Sequence, residues 1–261
     1  MKRGYSRRGQ VAVFIILAVM LVAAGGIAFV ITKNGSSGGV DSEFFSQQDI
    51  KQGVNQIQSS VLDCETMTSN DALDLIGIQG GYYNAPKDYY DLGWAFLPYY
   101  YSEGQFLMPE KSKIESELSA YVDDNLNQCL EGINVEGFDL SYLKSKTKTT
   151  ITNGKVSFAI DMPLTIKKET KTTRFELKDN PVVVDSKLYE MIEIAKYITD
   201  SHKEDANMIC INCVADMAEQ RSLYVDMLDF SEKDDVLIVI SANATDTYPL
   251  TFEFLNKYPP K

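Results

Sequence analysis

The chain has 261 residues, of which 44 % are hydrophobic and 24 % charged, and its formal net charge at pH 7 is −12. These values are typical of a folded protein and exclude a wholly disordered chain. The first 33 residues carry +5 and no acidic residue, which leaves −17, the difference between −12 and +5, on residues 34–261. Such an acidic body repels nucleic-acid phosphates, so we expect no nucleic-acid partner.

The first predicted element is a membrane-spanning helix. Residues 11–31 contain no charged side chain, and at about 1.5 Å per residue they form a helix roughly as long as a bilayer core is thick. Basic residues are concentrated before the run, which places the N-terminus in the cytoplasm and the rest outside the cell. The sequence therefore predicts a single-pass protein of the cell membrane, held in lipid by residues 11–31, with a C-terminal ectodomain.

The letters RRGQ at positions 7–10, directly before the apolar run, resemble the class III signal of archaeal type IV pilin-like proteins. The resemblance implies cleavage between Gly9 and Gln10 by a prepilin peptidase, after which the apolar segment begins the mature chain. Phe14 stands where bacterial pilins place a glutamate. An uncleaved signal anchor with basic flanks is the alternative interpretation.

A flexible linker, residues 34–41 with the letters NGSSGG, follows the predicted span. Apolar residues then recur at helical spacing and predict a helix, with Ile50, Val54, Ile57, Val61 and Cys64 on one face. Ser69 or Asn70 is a plausible N-cap for a second helix. A chain reversal is expected at Gly80 and Gly81.

Ten aromatic residues lie between positions 82 and 106, where two prolines and a glycine preclude a regular helix. We expect a long packed loop with short elements. Tyrosine and tryptophan also stack on sugars and proteins, so other envelope proteins or surface glycans are candidate partners. The candidate binding residues are Tyr82, Tyr83, Trp94, Tyr99, Tyr100 and Tyr101. Packing is the interpretation we favour for most of these rings, and it predicts that Tyr100→Ala and Trp94→Ala both lower the melting temperature.

The remaining elements predict an α+β fold. A helix is expected over 111–130, and from about residue 145 the apolar period changes to two. Asn153-Gly154 predicts a hairpin, and the alternation from Val156 to Ile166 predicts one long strand with an edge or bulge at Pro163. Helices around 185–200 and 206–222 and strands at DVLIVIS and LTFEFL complete the chain. We expect a helical, aromatic-rich half (42–143) and an antiparallel sheet with helices (144–261) that share a core.

A second resemblance covers part of the ectodomain. The pattern C…ALxLIGxQGG…PYYY…C is similar to that of uncharacterised archaeal envelope proteins, and it is matched by Cys64, Gly80, Gly81, Pro98 and Cys129. This resemblance implies no activity.

Four cysteines follow the predicted span, on the side of the membrane where disulfides persist. Cys64 and Cys129 lie on the apolar faces of two predicted helices, so a bond between them would join these helices and leave Cys210 with Cys213. The CINC motif of the second pair allows a local disulfide, a thiol–disulfide redox site, or a zinc site completed by the other two cysteines. We favour the local disulfide. An exposed pair at a helix start would keep redox chemistry open, whereas a buried or closed pair would remove it.

No catalytic constellation stands out in the sequence. His202 is the single histidine and is expected at a solvated helix end, and no P-loop or dinucleotide fingerprint is present. Nothing singles out a functional pair among the 37 acidic residues, and no metal or cofactor is expected. Asn34 and Asn243 are glycosylation sequons.

The sequence thus predicts a membrane-anchored cell-surface protein, pilin-like in its N-terminal signal, with a non-catalytic binding or assembly role. The alternative is an extracytoplasmic enzyme such as a thiol–disulfide oxidoreductase that uses the CINC motif.

Overall fold

The computed structural model describes residues 42–203, 205, 209–230, 235–242 and 249–258. The chain divides into two units, Met1–Asp49 and Ile50–Lys261, and apart from the first turns of one helix all described elements belong to the second. The predicted span and linker, the Gly9–Gln10 junction and both sequons lie outside the described residues. Among the described helices, none is both long enough and apolar enough to cross a membrane.

The described residues form four α-helices: α1 (Ser42–Ile78), α2 (Lys111–Glu131), α3 (Leu188–Ser201) and α4 (Ile211–Gln220). The expected break in α1 at Ser69 or Asn70 is wrong, because the helix runs through both residues. No glycine or proline interrupts residues 54–76, and Ser69 is buried on the inner face of the helix. Serine, a residue type that favours the N-cap, therefore lies in the interior of a helix here.

The larger sheet joins early and late parts of the chain. Its strands are β1 (Tyr89–Asp91), β2 (Phe96–Ser102), β3 (Gln105–Phe106), β10 (Leu223–Phe230), β11 (Asp235–Ala242) and β12 (Thr251–Lys257). The order is β1-β2-β12-β11-β10, with β3 paired to β2, and β2 and β12 are parallel. The aromatic stretch expected to be a loop thus supplies a central strand. Pro98 is accommodated because the pairing of β2 with β12 begins one residue later, at Tyr99.

The residues between these two parts of the sequence form two three-stranded antiparallel sheets. They contain β4 (Asp139–Tyr142), β5 (Lys146–Thr152), β6 (Lys155–Asp161), β7 (Pro163–Lys168), β8 (Lys171–Glu176) and β9 (Val182–Asp185), in the orders β4-β7-β8 and β5-β6-β9. The hairpin at Asn153-Gly154 is confirmed. The predicted long strand is in fact two strands in different sheets, and they separate at Met162, just before the proline that begins β7.

One hydrophobic core draws on both halves of the predicted ectodomain. Val61 of α1, Leu118 of α2, Phe158 of β6 and Phe254 of β12 are all completely buried members of it. A short 3₁₀ helix, Leu177–Asp179, closes the β8–β9 connection. The α+β expectation is confirmed.

The end of α1 packs backbone to backbone against β12. A Cβ atom added at Gly77 would lie 2.3 Å from the carbonyl oxygen of Thr251, and one at Gly80 would lie 2.6 Å from that of Glu253. Gly80 also has a φ of +51°, and its carbonyl accepts a 2.7 Å hydrogen bond from the Tyr100 hydroxyl. Only glycine fits this contact without displacing the helix.

Candidate functional site

Both predicted disulfides are present, and they occupy different environments. Cys64 and Cys129 join α1 to α2 with a Cα–Cα distance of 5.7 Å, and Cys64 is buried. Cys210 and Cys213 are bonded across three positions at the start of α4. All four cysteines are paired, so none of them is a free thiolate of the kind that binds zinc.

The CINC motif forms the first turn of α4. The helix expected over 206–222 begins only at Ile211, so the interpretation that helix or turn continues into the cysteines from upstream is corrected: Cys210 is the N-cap. Its sulfur accepts a hydrogen bond from the backbone N–H of Cys213 at 3.3 Å. Cys210, Ile211 and Asn212 are exposed, whereas Cys213 is partly buried. The pair is exposed at a helix start, which favours redox chemistry, but it is also closed, which was expected to exclude it. The two criteria therefore disagree, because a bonded pair is also the oxidised state of a redox pair.

A groove of about 740 Å³ lies between α4 and β10. Its wall on the helix side includes Ile211, which stands between the two cysteines, together with Val214 and Ala218. Alternate residues of β10, Leu223, Val225 and Met227, form the opposite wall. Glu219, Ser222 and Tyr224 also line the groove, so its surface is of mixed polarity.

The strand β10 was not predicted from the sequence, and it ends the larger sheet. It pairs with β11 along its whole length, and within the described residues no strand pairs with its other edge. Tyr224, which also lines the groove, is 55 % exposed, and Leu228, which does not, is 51 % exposed. An exposed edge with apolar side chains on both faces is typical of a surface that meets another polypeptide.

Half of the candidate aromatic residues are interior. Tyr82, Tyr100 and Tyr101, considered as binding residues from the sequence, are buried and pack inside the domain. Tyr100 stacks on Phe254 with ring centroids 4.2 Å apart. Tyr83 and Tyr99 are half-buried: Tyr83 packs edge-on against Tyr121 of α2, and the Tyr99 hydroxyl donates to Asp235 at 3.0 Å.

The exposed aromatics lie on and beside β1. Trp94 is 72 % exposed, which corrects the expectation that it packs inside, and Tyr89 and Tyr90 are also exposed. The Tyr90 ring lies 5.0 Å from that of Phe230, so the two outermost strands of the larger sheet meet through these rings. We call Tyr89, Tyr90 and Trp94, which lie on and beside β1, the outer aromatic surface.

Two buried glutamates have contrasting surroundings. Glu117 of α2 accepts hydrogen bonds at 2.9 Å from the backbone N–H groups of Tyr83 and Asn84 and pairs with Lys113. Although burial alone would raise it, these partners hold the pKa of Glu117 below its ordinary value. This carboxylate fastens the aromatic stretch to α2.

Glu65, next to Cys64, was not singled out from the sequence. It is completely buried, and neither carboxyl oxygen has a hydrogen-bond partner among the described residues. Burial raises the pKa of Glu65 from 4.5 to about 7. Its spacing in the sequence could have predicted this burial, because Ile57, Val61 and Glu65 stand four residues apart on the inner face of α1.

His202 was expected at a solvated helix end. This is wrong, because its side chain is buried at the end of α3. Its ring stacks on Tyr101 at 4.6 Å, and its Nε2 lies 3.1 Å from the Asn256 amide nitrogen and 3.2 Å from the Tyr258 hydroxyl. Burial lowers the pKa of His202. These contacts make it a packing residue between α3 and β12.

Comparison of the chain with known proteins assigns no function to these sites. No family model, no curated protein and no solved structure matches the chain. Within the part of the chain that the structure describes, no group of three or more His, Cys, Asp or Glu side chains is arranged to hold a metal ion.

Proposed function

We propose that the protein is a single-pass, membrane-anchored cell-surface protein whose C-terminal domain lies outside the cell and binds other envelope proteins without catalysing a reaction. The observation that carries the proposal is that all four cysteines form disulfides, next to a sequence whose uncharged run 11–31 is long enough to span lipid. Disulfides persist outside the reducing cytoplasm. This supports the orientation given by the basic N-terminus.

The outer aromatic surface is the binding surface in this proposal. Trp94, Tyr89 and Tyr90 offer large rings with polar ends, which dominate the energetics of protein interfaces. A sugar-binding site would also use such rings. The aliphatic Leu228 and the unpaired edge of β10 favour a polypeptide, since an edge strand offers backbone hydrogen bonds that only another chain can match in register.

The resemblance of RRGQ to the class III signal adds a proposed processing step, cleavage between Gly9 and Gln10, with assembly alongside other pilin-like chains. Mass spectrometry of the mature N-terminus tests it. A chain that starts at Gln10 is the expected result, and an intact Met1 would overturn the processing step while leaving an uncleaved anchor in place.

Fractionation tests the anchor. The full-length chain should sediment with membranes, stay there in alkaline carbonate and be released by detergent, whereas a peripheral protein leaves the membrane in carbonate. External protease should degrade the domain in intact cells. Recovery of the chain in the soluble fraction, or protection of the domain from external protease, would overturn the proposed location.

Photo-crosslinking tests the binding surface on the anchored, full-length chain. A photoreactive residue at Trp94 or Leu228 should form adducts of discrete mass that digestion by protease removes. Leu143 is the matched control, because it is 67 % exposed and lies next to β4 in a different sheet. Equal adduct yields from Trp94 and Leu143 would reject the surface, and adducts lost on glycan digestion would identify a glycan instead.

A further inference from the structure

A second groove, with a volume of about 400 Å³, lies between α1 and β9, and Glu65 is part of its lining. Half of the lining residues are polar: Glu65, Thr66, Asn70, Asn180 and Asp185. The other half are apolar: Leu62, Pro181, Val182, Val183 and Val184. No lysine, arginine or histidine is among these described residues, so the charge of the lining comes from two carboxyl groups alone.

The Glu65 carboxyl group has no donor inside the described part of the chain. The residue is completely buried, and neither oxygen accepts a hydrogen bond there. Glu117, the other buried glutamate of the first two helices, accepts two backbone N–H groups and pairs with Lys113. A buried carboxylate without such donors costs free energy, and a ligand that brings the donors offsets this cost. The contrast indicates that the donors for Glu65 come from outside the chain.

An alkylammonium group matches the whole lining of this groove. Its positive charge and three N–H donors suit the oxygens of Glu65, with Asp185 and the asparagine amides as further acceptors. Its carbon chain suits the leucine, proline and valine side chains, in the way that lysine stems cover apolar surface. A metal ion would make no use of the apolar half of the lining, and a neutral apolar ligand would leave Glu65 unpaired.

We propose that the groove between α1 and β9 binds an alkylammonium group, either the side chain of a lysine on another polypeptide or a free amine, with its nitrogen on the Glu65 carboxylate. No hydrogen bond fixes the Glu65 side chain within the described residues, so the carboxylate is free to turn towards a nitrogen in the groove. The site is separate from the outer aromatic surface and goes beyond the function proposed for it.

The test uses the full-length protein in detergent and n-butylammonium, whose carbon chain has the length of a lysine stem. Saturation-transfer NMR measures its binding at constant ionic strength. Butanol keeps only the chain and ammonium chloride only the charge, so each should displace the probe only at concentrations at least about tenfold higher. Displacement by butanol at equal concentration would overturn the role of the carboxylate. Displacement by calcium chloride at equal concentration would identify a metal site and overturn the proposal.

A variant without the charge tests Glu65 directly. Glu65→Gln should weaken butylammonium binding at least about tenfold, the effect of losing one hydrogen bond to a charged group. Glu253→Gln is the matched control, because Glu253 is half-buried with a raised pKa but accepts a hydrogen bond from Thr251 and does not line the groove. Equal affinities of Glu65→Gln and the parent protein would overturn the site.

A bulky residue in the lining tests the location. Thr66→Phe places a ring at an exposed lining position and should weaken binding at least about tenfold. Met67→Phe, at the next exposed position, lies outside the lining and should leave binding unchanged. Equal effects of the two variants would overturn the location.

A capped peptide of valine, lysine and valine distinguishes the two sources of the ligand. Tighter binding of the peptide than of butylammonium would assign the site to a lysine on a polypeptide, and weaker binding would assign it to a free amine. Loss of both interactions in Glu65→Gln is expected in either case. None of these readouts involves Trp94 or the membrane, so their failure is distinct from a failure of the proposed surface function.

Discussion

The regions around the two disulfides show how the same bond performs different tasks in one domain. Cys64–Cys129 spans 65 positions and joins two helices in the interior, where its role is to restrict the unfolded chain. Cys210–Cys213 spans three positions at the surface, where it restricts very little chain. The first region is therefore expected to determine stability, and the second to tolerate change unless it has a chemical role.

The largest expected effect is the loss of the interior bond. Cys64→Ser combined with Cys129→Ser should lower the free energy of unfolding by about 4 kcal/mol, from the loop-closure entropy of its ring. The same pair of changes at Cys210 and Cys213 should cost about 2 kcal/mol or less. Denaturant unfolding of both variants measures the difference, and equal losses would break the comparison.

The interior region also contains a destabilising group. Glu65 has a pKa of about 7 in the folded protein against 4.5 in the unfolded chain, so the folded protein binds more protons between these values. Its stability contribution is complete below pH 4.5 and is lost as the pH rises to about 7. Glu65→Gln should raise the free energy of unfolding by on the order of 3 kcal/mol at pH 8.

The variant should differ little from the parent at pH 4, where Glu65 is protonated in both states. Burial of His202 has the opposite pH dependence. Because burial lowers its pKa in the folded protein, the free energy of unfolding falls as the pH drops below 6.5. That contribution is present in both proteins and cancels in their difference. A gain for Glu65→Gln that is the same at pH 4 and pH 8 would show that Glu65 is not buried as a carboxylic acid.

A smaller effect is expected at the aromatic packing of the interior. Tyr100→Phe keeps the ring stacked on Phe254 and removes only the hydroxyl that donates to the Gly80 carbonyl. The free energy of unfolding should fall by about 1–2 kcal/mol, because the buried carbonyl loses its partner. Thermal unfolding measures this, and a loss as large as that for Tyr100→Ala would mean that the ring itself is displaced.

The smallest effect is expected at the surface. Trp94→Ala should change the free energy of unfolding by less than about 0.5 kcal/mol, because the side chain is 72 % exposed. Melting temperature is the measurement, with Tyr100→Ala as the interior counterpart. A large drop for Trp94→Ala would place that ring in the core and remove it from the outer aromatic surface.

Local patterns in the sequence predicted local structure well. The period of α2, the turn at Asn153-Gly154 and the closing strands β11 and β12 each depend on neighbouring residues, and all are confirmed. The pairing of the cysteines was also accessible, because two of them lie on apolar helix faces. The failures were a strand whose neighbour is distant in sequence and elements whose local signals are weak.

The strand β2 illustrates the failure, because its aromatic run has a proline and acquires its pairing from β12 near the other end of the described chain. β10 was missed because apolar residues on both of its faces hide the alternation. The start of α4 at Ile211 could not be located, because cysteine is not a strong N-cap signal. That last error matters most, since it concealed the exposed helix-start geometry of the CINC motif.

The strand β2 is synthesised long before β12, the strand with which it pairs in parallel. Tyr99 and Leu255 stand more than 150 positions apart, so the ribosome finishes the first strand long before its neighbour exists. Sheets closed by such distant segments assemble late and leave their early members uncovered in the meantime. The edge of the tyrosine-rich strand that pairs with β12 therefore stays uncovered until the final strand is made.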